Sequence, residues 1–162
     1  MSRARKLLIF GGTLLAAFGM LYGLHYAVVV EHQTLDRMGG SLSSAFAHAA
    51  DRRRDDSQSA LMTYRETKYD YVRQVDAHSH WIGLAMLMVV LGVVFDEVAF
   101  GERARWAIAL AMLIGSIAFP LGVVLQTARM APLGSALAIA GSALVIAALG
   151  STAVGLMKGD AT

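Results

Sequence analysis

The sequence has no cysteine, two prolines and only 16% charged residues. Without cysteine there are no disulfide staples, no thiolate metal sites and no iron–sulfur clusters, so a bound metal must use His, Met or oxygen donors. Lys and Arg total 14 against 12 Asp and Glu, a net charge of +2. The bases are spread over several segments and form no single face, which sets nucleic-acid binding aside. Proline is missing from the whole stretch 31–77, and no nucleophile–base constellation is placed anywhere, so an independent enzyme is not expected.

What is abundant is apolar. Hydrophobic residues make up 56% of the chain and the mean hydropathy is +0.54, too high for an ordinary soluble domain of this size. Four segments, 7–30, 80–100, 106–126 and 132–157, are long enough to cross a hydrocarbon core of about 30 Å, which takes about 20 residues at helical rise. Lipid offers no partner for an unpaired peptide group, so each span is expected to be a helix. The expected fold is all-α: a four-helix transmembrane bundle, one integral membrane domain over 1–162, with a helical extramembrane cap at 31–77 between the first two spans. The first apolar run is too long for a signal-peptide core and no small-residue cleavage site follows it, so it reads as a true span.

Short basic flanks set the orientation. Arg3, Arg5 and Lys6 precede the first span, Arg103 and Arg105 lie between the second and third, and Lys158 follows the fourth. With an even number of spans these fall on one side, which the positive-inside bias makes cytoplasmic. Both termini are then expected inside a bacterial inner membrane, with the cap in the periplasm. Residues 31–77 also carry bases, but long loops translocate largely regardless of charge. Within the cap, one helix is expected around 41–54, after Gly39 and Gly40, and an amphipathic one leading into the second span, with Leu61, Tyr64, Lys68 and Tyr71 on a stripe. That stripe fits packing on the bundle rim and also a partner-binding face.

Small residues at spacing four mark the helix contacts: Gly19 and Gly23 in the first span, Ala107, Ala111 and Gly115 in the third, and Ala147, Ser151 and Gly155 in the fourth. Pro120 frees a carbonyl in the third span, which Ser116 is placed to satisfy.

Polar groups collect at one membrane surface. "VDAHSHWIGLAMLMVVLG" sets Asp76, His78 and His80 against an uncharged run, while His25 lies inside the outer end of the first span and His32 continues its face. Gln126 and Arg129 end the third span at the same depth. A b-type haem between helices needs two axial imidazoles and a cation for its propionates. His25 with His80 or His78 would supply the pair, and Arg129 or Arg73 the cation. Residues two apart on a helix diverge by about 200°, so only one of His78 and His80 faces His25. His80 is preferred, because Asp76 one turn before it would fix its tautomer. A copper or zinc site is the alternative, with His25, His78, His80 and His32 as metal ligands. The plainer reading is that rim imidazoles are neutral hydrogen-bonding groups, and it is preferred for His32 and His48.

On His78, His80, Leu84 and Gly92, the stretch "AHSHWIGLAMLMVVLG" resembles an "HxHxxxLG"-type helix of small bacterial four-helix membrane proteins. It is more distantly similar to the haem-ligand helix of subunit I of haem–copper oxidases and nitric oxide reductases. The resemblance covers about a third of the chain and implies a haem-associated or accessory role. The other histidine-bearing helices of an oxidase are missing, so a complete oxidase is not implied. Three functions are therefore expected in order: a cofactor-binding membrane protein, with b-haem or copper, in electron transfer or cofactor handling; a non-catalytic accessory subunit of a larger respiratory-type membrane complex; and a small transporter. The last has the least support, since no broken-helix pair marks a midplane site.

Overall fold

The computed structural model describes residues 1–128 and 130–159, and within them the chain is helical throughout, with no strand. Helix α1 (Arg3–His25) passes through a π-helical turn (Tyr26–Val30) into α2 (Glu31–Ala50) without leaving the helical path. After a tight turn, α3 (Arg54–Val94) returns and closes in a 3₁₀ turn (Phe95–Glu97). Helices α4 (Glu102–Leu125) and α5 (Ala131–Gly159) follow. Four helical stretches are long and apolar enough to cross a membrane: Arg3–Ala50, Arg54–Glu97, Glu102–Leu125 and Ala131–Gly159.

Their lengths are unequal, and that shapes the molecule. Arg3–Ala50 holds 48 residues, about 72 Å of helix, whereas α4 holds 24, about 36 Å. The surplus lies in α2 and the first half of α3, which pack on each other as an antiparallel hairpin. Gly39 and Gly40, read from the sequence as a boundary before a shorter helix, sit inside α2, which starts eight residues earlier. The glycines cost helix propensity but meet no steric obstacle, and packing on α3 overrides them.

Bundle packing follows heptad seams of small residues. On α5 the buried positions are Gly134, Ala138, Gly141, Val145, Ala148, Thr152 and Gly155, alternating steps of four and three. Against them lie Gly115 and Gly122 of α4; a side chain at Gly122 would meet the Gly134 carbonyl oxygen at 2.7 Å, and one at Gly115 the Gly141 carbonyl oxygen at 2.7 Å. Backbone therefore meets backbone, the close approach that drives association where lipid gives no hydrophobic gain. The expected stripe through Ala147 and Ser151 is not the seam: Ala147 is exposed, and only Gly155 of that set is buried. On the other side, α1 packs on α3 through Ala4, Leu8, Gly12, Leu15 and Gly19 against Ala77, Trp81, Ala85, Met88 and Gly92. Trp81 is the centre, with Phe18 and Tyr22 edge-on at 5.0 and 4.9 Å.

Both described ends of the chain lie at one end of the bundle. Arg5 pairs with Asp96 at 3.2 Å, the Ser2 N–H donates to the same carboxylate, and Ala99 N–H donates to Gly155 O. Lys158 lies over the Phe100 ring. The basic flanks of α1, α4 and α5 thus share one face. The π turn, the hairpin and the α4–α5 connection share the other, joined by a Gln74–Thr127 hydrogen bond of 3.1 Å.

Candidate functional site: a polar cleft at the π turn

"YAVVV" places three β-branched residues in a row, which weakens regular α-helix. The chain answers with a wider turn, in which the Glu31 N–H reaches back five residues to Tyr26 O. Such single π turns recur at functional sites. Here the bulge opens a cleft of about 390 Å³ between α1, α2 and α3.

Each wall has a separate origin. Helix α1 and the π turn contribute Tyr22, His25 and Tyr26, and α2 contributes Thr34 and Arg37. Helix α3 presents Thr67, Asp70, Tyr71 and Gln74, a stripe at spacings of three and four, and Thr127 closes the base. A hydrogen-bonded chain crosses that base. Tyr22 donates to Gln74 Oε1, the Gln74 amide donates to Thr127 Oγ1, and Thr127 donates to Val124 O. Higher up, Tyr71 donates to Glu31 Oε1 at 3.1 Å, with its ring 6.3 Å from that of Tyr26. Asp70 lies ten residues before the apolar segment that begins at His80, and partial burial together with the Glu66 carboxylate one turn away holds its carboxyl above the ordinary carboxylate range.

The histidines separate. His25 is exposed and borders the cleft. His78 is half-buried against α1, with Nδ1 3.0 Å from Gly19 O and its ring against Gly23. A carbonyl has no proton to give, so Nδ1 is the protonated nitrogen; in the neutral ring Nε2 keeps the lone pair. His80 turns the other way, its ring 4.6 Å from that of Phe119 on α4. The ring facing α1 is therefore His78, the reverse of the sequence-based preference for His80. The reason is the glycine pair: Gly23 leaves room that the imidazole fills beside Gly19, and the 100° step per residue brings His78, not His80, onto it.

The remaining candidates are engaged elsewhere. Asp76, expected behind His80, sits 4.0 Å from Arg73, and Arg73 stacks over Tyr69 at 5.1 Å. His32 pairs with Asp36 at 3.4 Å on an exposed face. Arg129 lies outside the described residues. Ser116, expected to satisfy the carbonyl freed by Pro120, is buried with no hydrogen-bond partner among the described residues. Among the described residues no three His, Asp or Glu side chains come together in a group able to hold a metal ion.

Most of the residues lining the cleft are not among those the sequence marks as candidate ligands. The sequence nonetheless carries a signal: Tyr22, His25 and Tyr26 put a polar stripe on an apolar helix, at the spacing that Thr67, Asp70 and Tyr71 repeat on α3. Chemically the cleft offers phenols, hydroxyls, an amide, an imidazole, a guanidinium and a carboxylate. That set suits hydrogen bonding to a small polar ligand or to water, and it contains no nucleophile paired with a base. The architecture defines a four-helix protein of membrane-spanning composition with a polar cleft at one end of the bundle. No family model matches the chain, and no curated protein or solved structure matches it either.

Proposed function

We propose that this chain is a four-span integral membrane protein serving as a non-catalytic subunit of a larger membrane complex. In this reading it lies in a bacterial inner membrane with both termini cytoplasmic and residues 31–77 standing in the periplasm. The basic side chains gathered at the end of the bundle opposite the hairpin support that orientation. One observation carries the subunit role. The hairpin leaves large apolar side chains uncovered, with Phe46 68% exposed and Met62 54% exposed, and in the proposed orientation it stands clear of the lipid. Uncovered apolar surface on a water-facing element marks a contact with another protein. The test is purification from native membranes in mild detergent, with mass measured under native conditions. A partner at fixed stoichiometry, cross-linked through Phe46→Cys or Met62→Cys, is the expected result. A stable monomer with no partner would sink the proposal.

A second reading keeps the cofactor. The contact of His78 Nδ1 with the Gly19 carbonyl supports it: with Nδ1 donating there, Nε2 would keep the lone pair by which an axial histidine binds haem iron, and a copper ion would use the same nitrogen. His25 at the cleft would be the other ligand, and Arg37 a cation for a propionate. The absorption spectrum decides: a Soret band lost in His78→Ala or His25→Ala supports b-haem, and a colourless, metal-free protein refutes both cofactors.

A further inference from the structure

The far end of the hairpin holds a second cleft, of about 710 Å³, remote from the π turn. Its rim carries Arg52, Arg54 and Arg65, and between them lie Gln58, Leu61 and Met62. Among the described residues none of the three arginines has an ion pair. Arg53 pairs with Asp51 at 3.1 Å and Asp56 at 3.6 Å, while Asp55 beside Arg54 and Glu66 beside Arg65 form no ion pair among the described residues. Three arginines thus line one hollow together with Leu61 and Met62, no acidic side chain lines it, and none of the three is held in an ion pair among the described residues.

We infer that this cleft docks an acidic segment of a partner protein, with its carboxylates on Arg52, Arg54 and Arg65 and an apolar side chain on Leu61 and Met62. The inference rests on the subunit reading above and names the chemistry of its partner. Guanidinium groups match carboxylates in forked geometry, and apolar surface between them adds selectivity for a peptide over a small anion. Position argues against a lipid headgroup. From His80 to Arg54 there are 26 residues of continuous α3, about 39 Å of helix, which carries the tip well away from the expected bilayer surface.

The experiment uses the full chain in nanodiscs of zwitterionic lipid and a short labelled Glu/Ala peptide with one central Leu. Its counterpart has Gln for every Glu. The expected result is saturable binding of the Glu peptide that weakens as salt rises and falls about tenfold or more in the combined Arg52→Gln, Arg54→Gln, Arg65→Gln variant. Arg103→Gln, at the opposite end of the bundle, is expected to bind as the parent does. Circular dichroism checks that the hairpin persists; the single reversal Arg65→Glu, exposed in mid-helix, gives the same readout without touching the turn. Equal binding of the Gln peptide, undiminished binding by both variants, or no binding of the Glu peptide overturns the inference. So does displacement by inorganic phosphate where chloride of equal ionic strength has no effect, which assigns the cleft to small anions. Co-purification from native membranes separates this from the parent reading. A partner retained by the arginine variants leaves the subunit role standing and removes the tip cleft from it, whereas selective peptide binding with no native partner does the reverse.

Discussion

His78 Nδ1 lies 3.0 Å from the main-chain oxygen of Gly19, and its ring occupies the space a side chain at Gly23 would need. The GxxxG pair of α1 is thus a seat for an imidazole as well as a crossing point for two helices. Gly23→Ala is expected to push the ring out of that seat and cost about 1–3 kcal/mol, the range for overpacking a tight contact. Denaturation in detergent measures it. A variant as stable as the parent would show that α1 and α3 slide past each other freely at this level.

Opposite signs are expected for one substitution at different glycines. Nothing lies within 4 Å of a side chain built at Gly39 or Gly40, so Ala there removes backbone freedom from the unfolded chain without a clash. Each is expected to stabilise the hairpin by about 0.5–1 kcal/mol. At Gly122 the new carbon would lie 2.7 Å from Gly134 O and 2.8 Å from Ala138 Cα, main-chain atoms that cannot swing aside. Gly122→Ala is expected to part α4 from α5, seen as a loss of thermal stability larger than that of Gly23→Ala, where a side chain can yield.

The contrast explains how far the sequence could be read. Span lengths, helicity and the shared end of the basic flanks follow from hydropathy and charge, because lipid constrains them one segment at a time. Which stripe of small residues forms a seam depends on the rotation of each helix, and α5 has small residues on almost every face: Ala147 and Ser151 look as suitable as Ala148 and Thr152 until α4 is placed. His78 and His80 differ by the same rotation. The cleft escaped because it needs the π turn, and a run of three valines states only that regular helix is weak there, not what replaces it.

The absence of cysteine makes topology directly testable. In the proposed orientation Gln58→Cys, in the hairpin, is expected to react with a membrane-impermeant maleimide in intact spheroplasts. Glu102→Cys, at the opposite end, is expected to react only after the membrane is opened. Labelling of both before permeabilisation, or the reverse pattern, would refute the orientation.

The hairpin turn closes in a form that asks for glycine and has arginine. Arg52 N–H donates to Ala49 O and Arg53 N–H to His48 O, the paired bonds of a Schellman closure, and Arg52 carries φ 61° between them. A side chain in that left-handed region costs about 1 kcal/mol relative to glycine. Arg52→Gly is therefore expected to raise hairpin stability by about 1 kcal/mol, measured as a shift in the melting of the full chain. If the guanidinium is held there for its charge, the stabilised variant binds the Glu peptide more weakly than the parent, since the same change removes one of the cleft's three cations. Gain of stability with loss of peptide affinity ties the strained residue to the tip cleft; gain of stability with affinity unchanged leaves Arg52 as an ordinary turn residue and shifts the docking charge to Arg54 and Arg65.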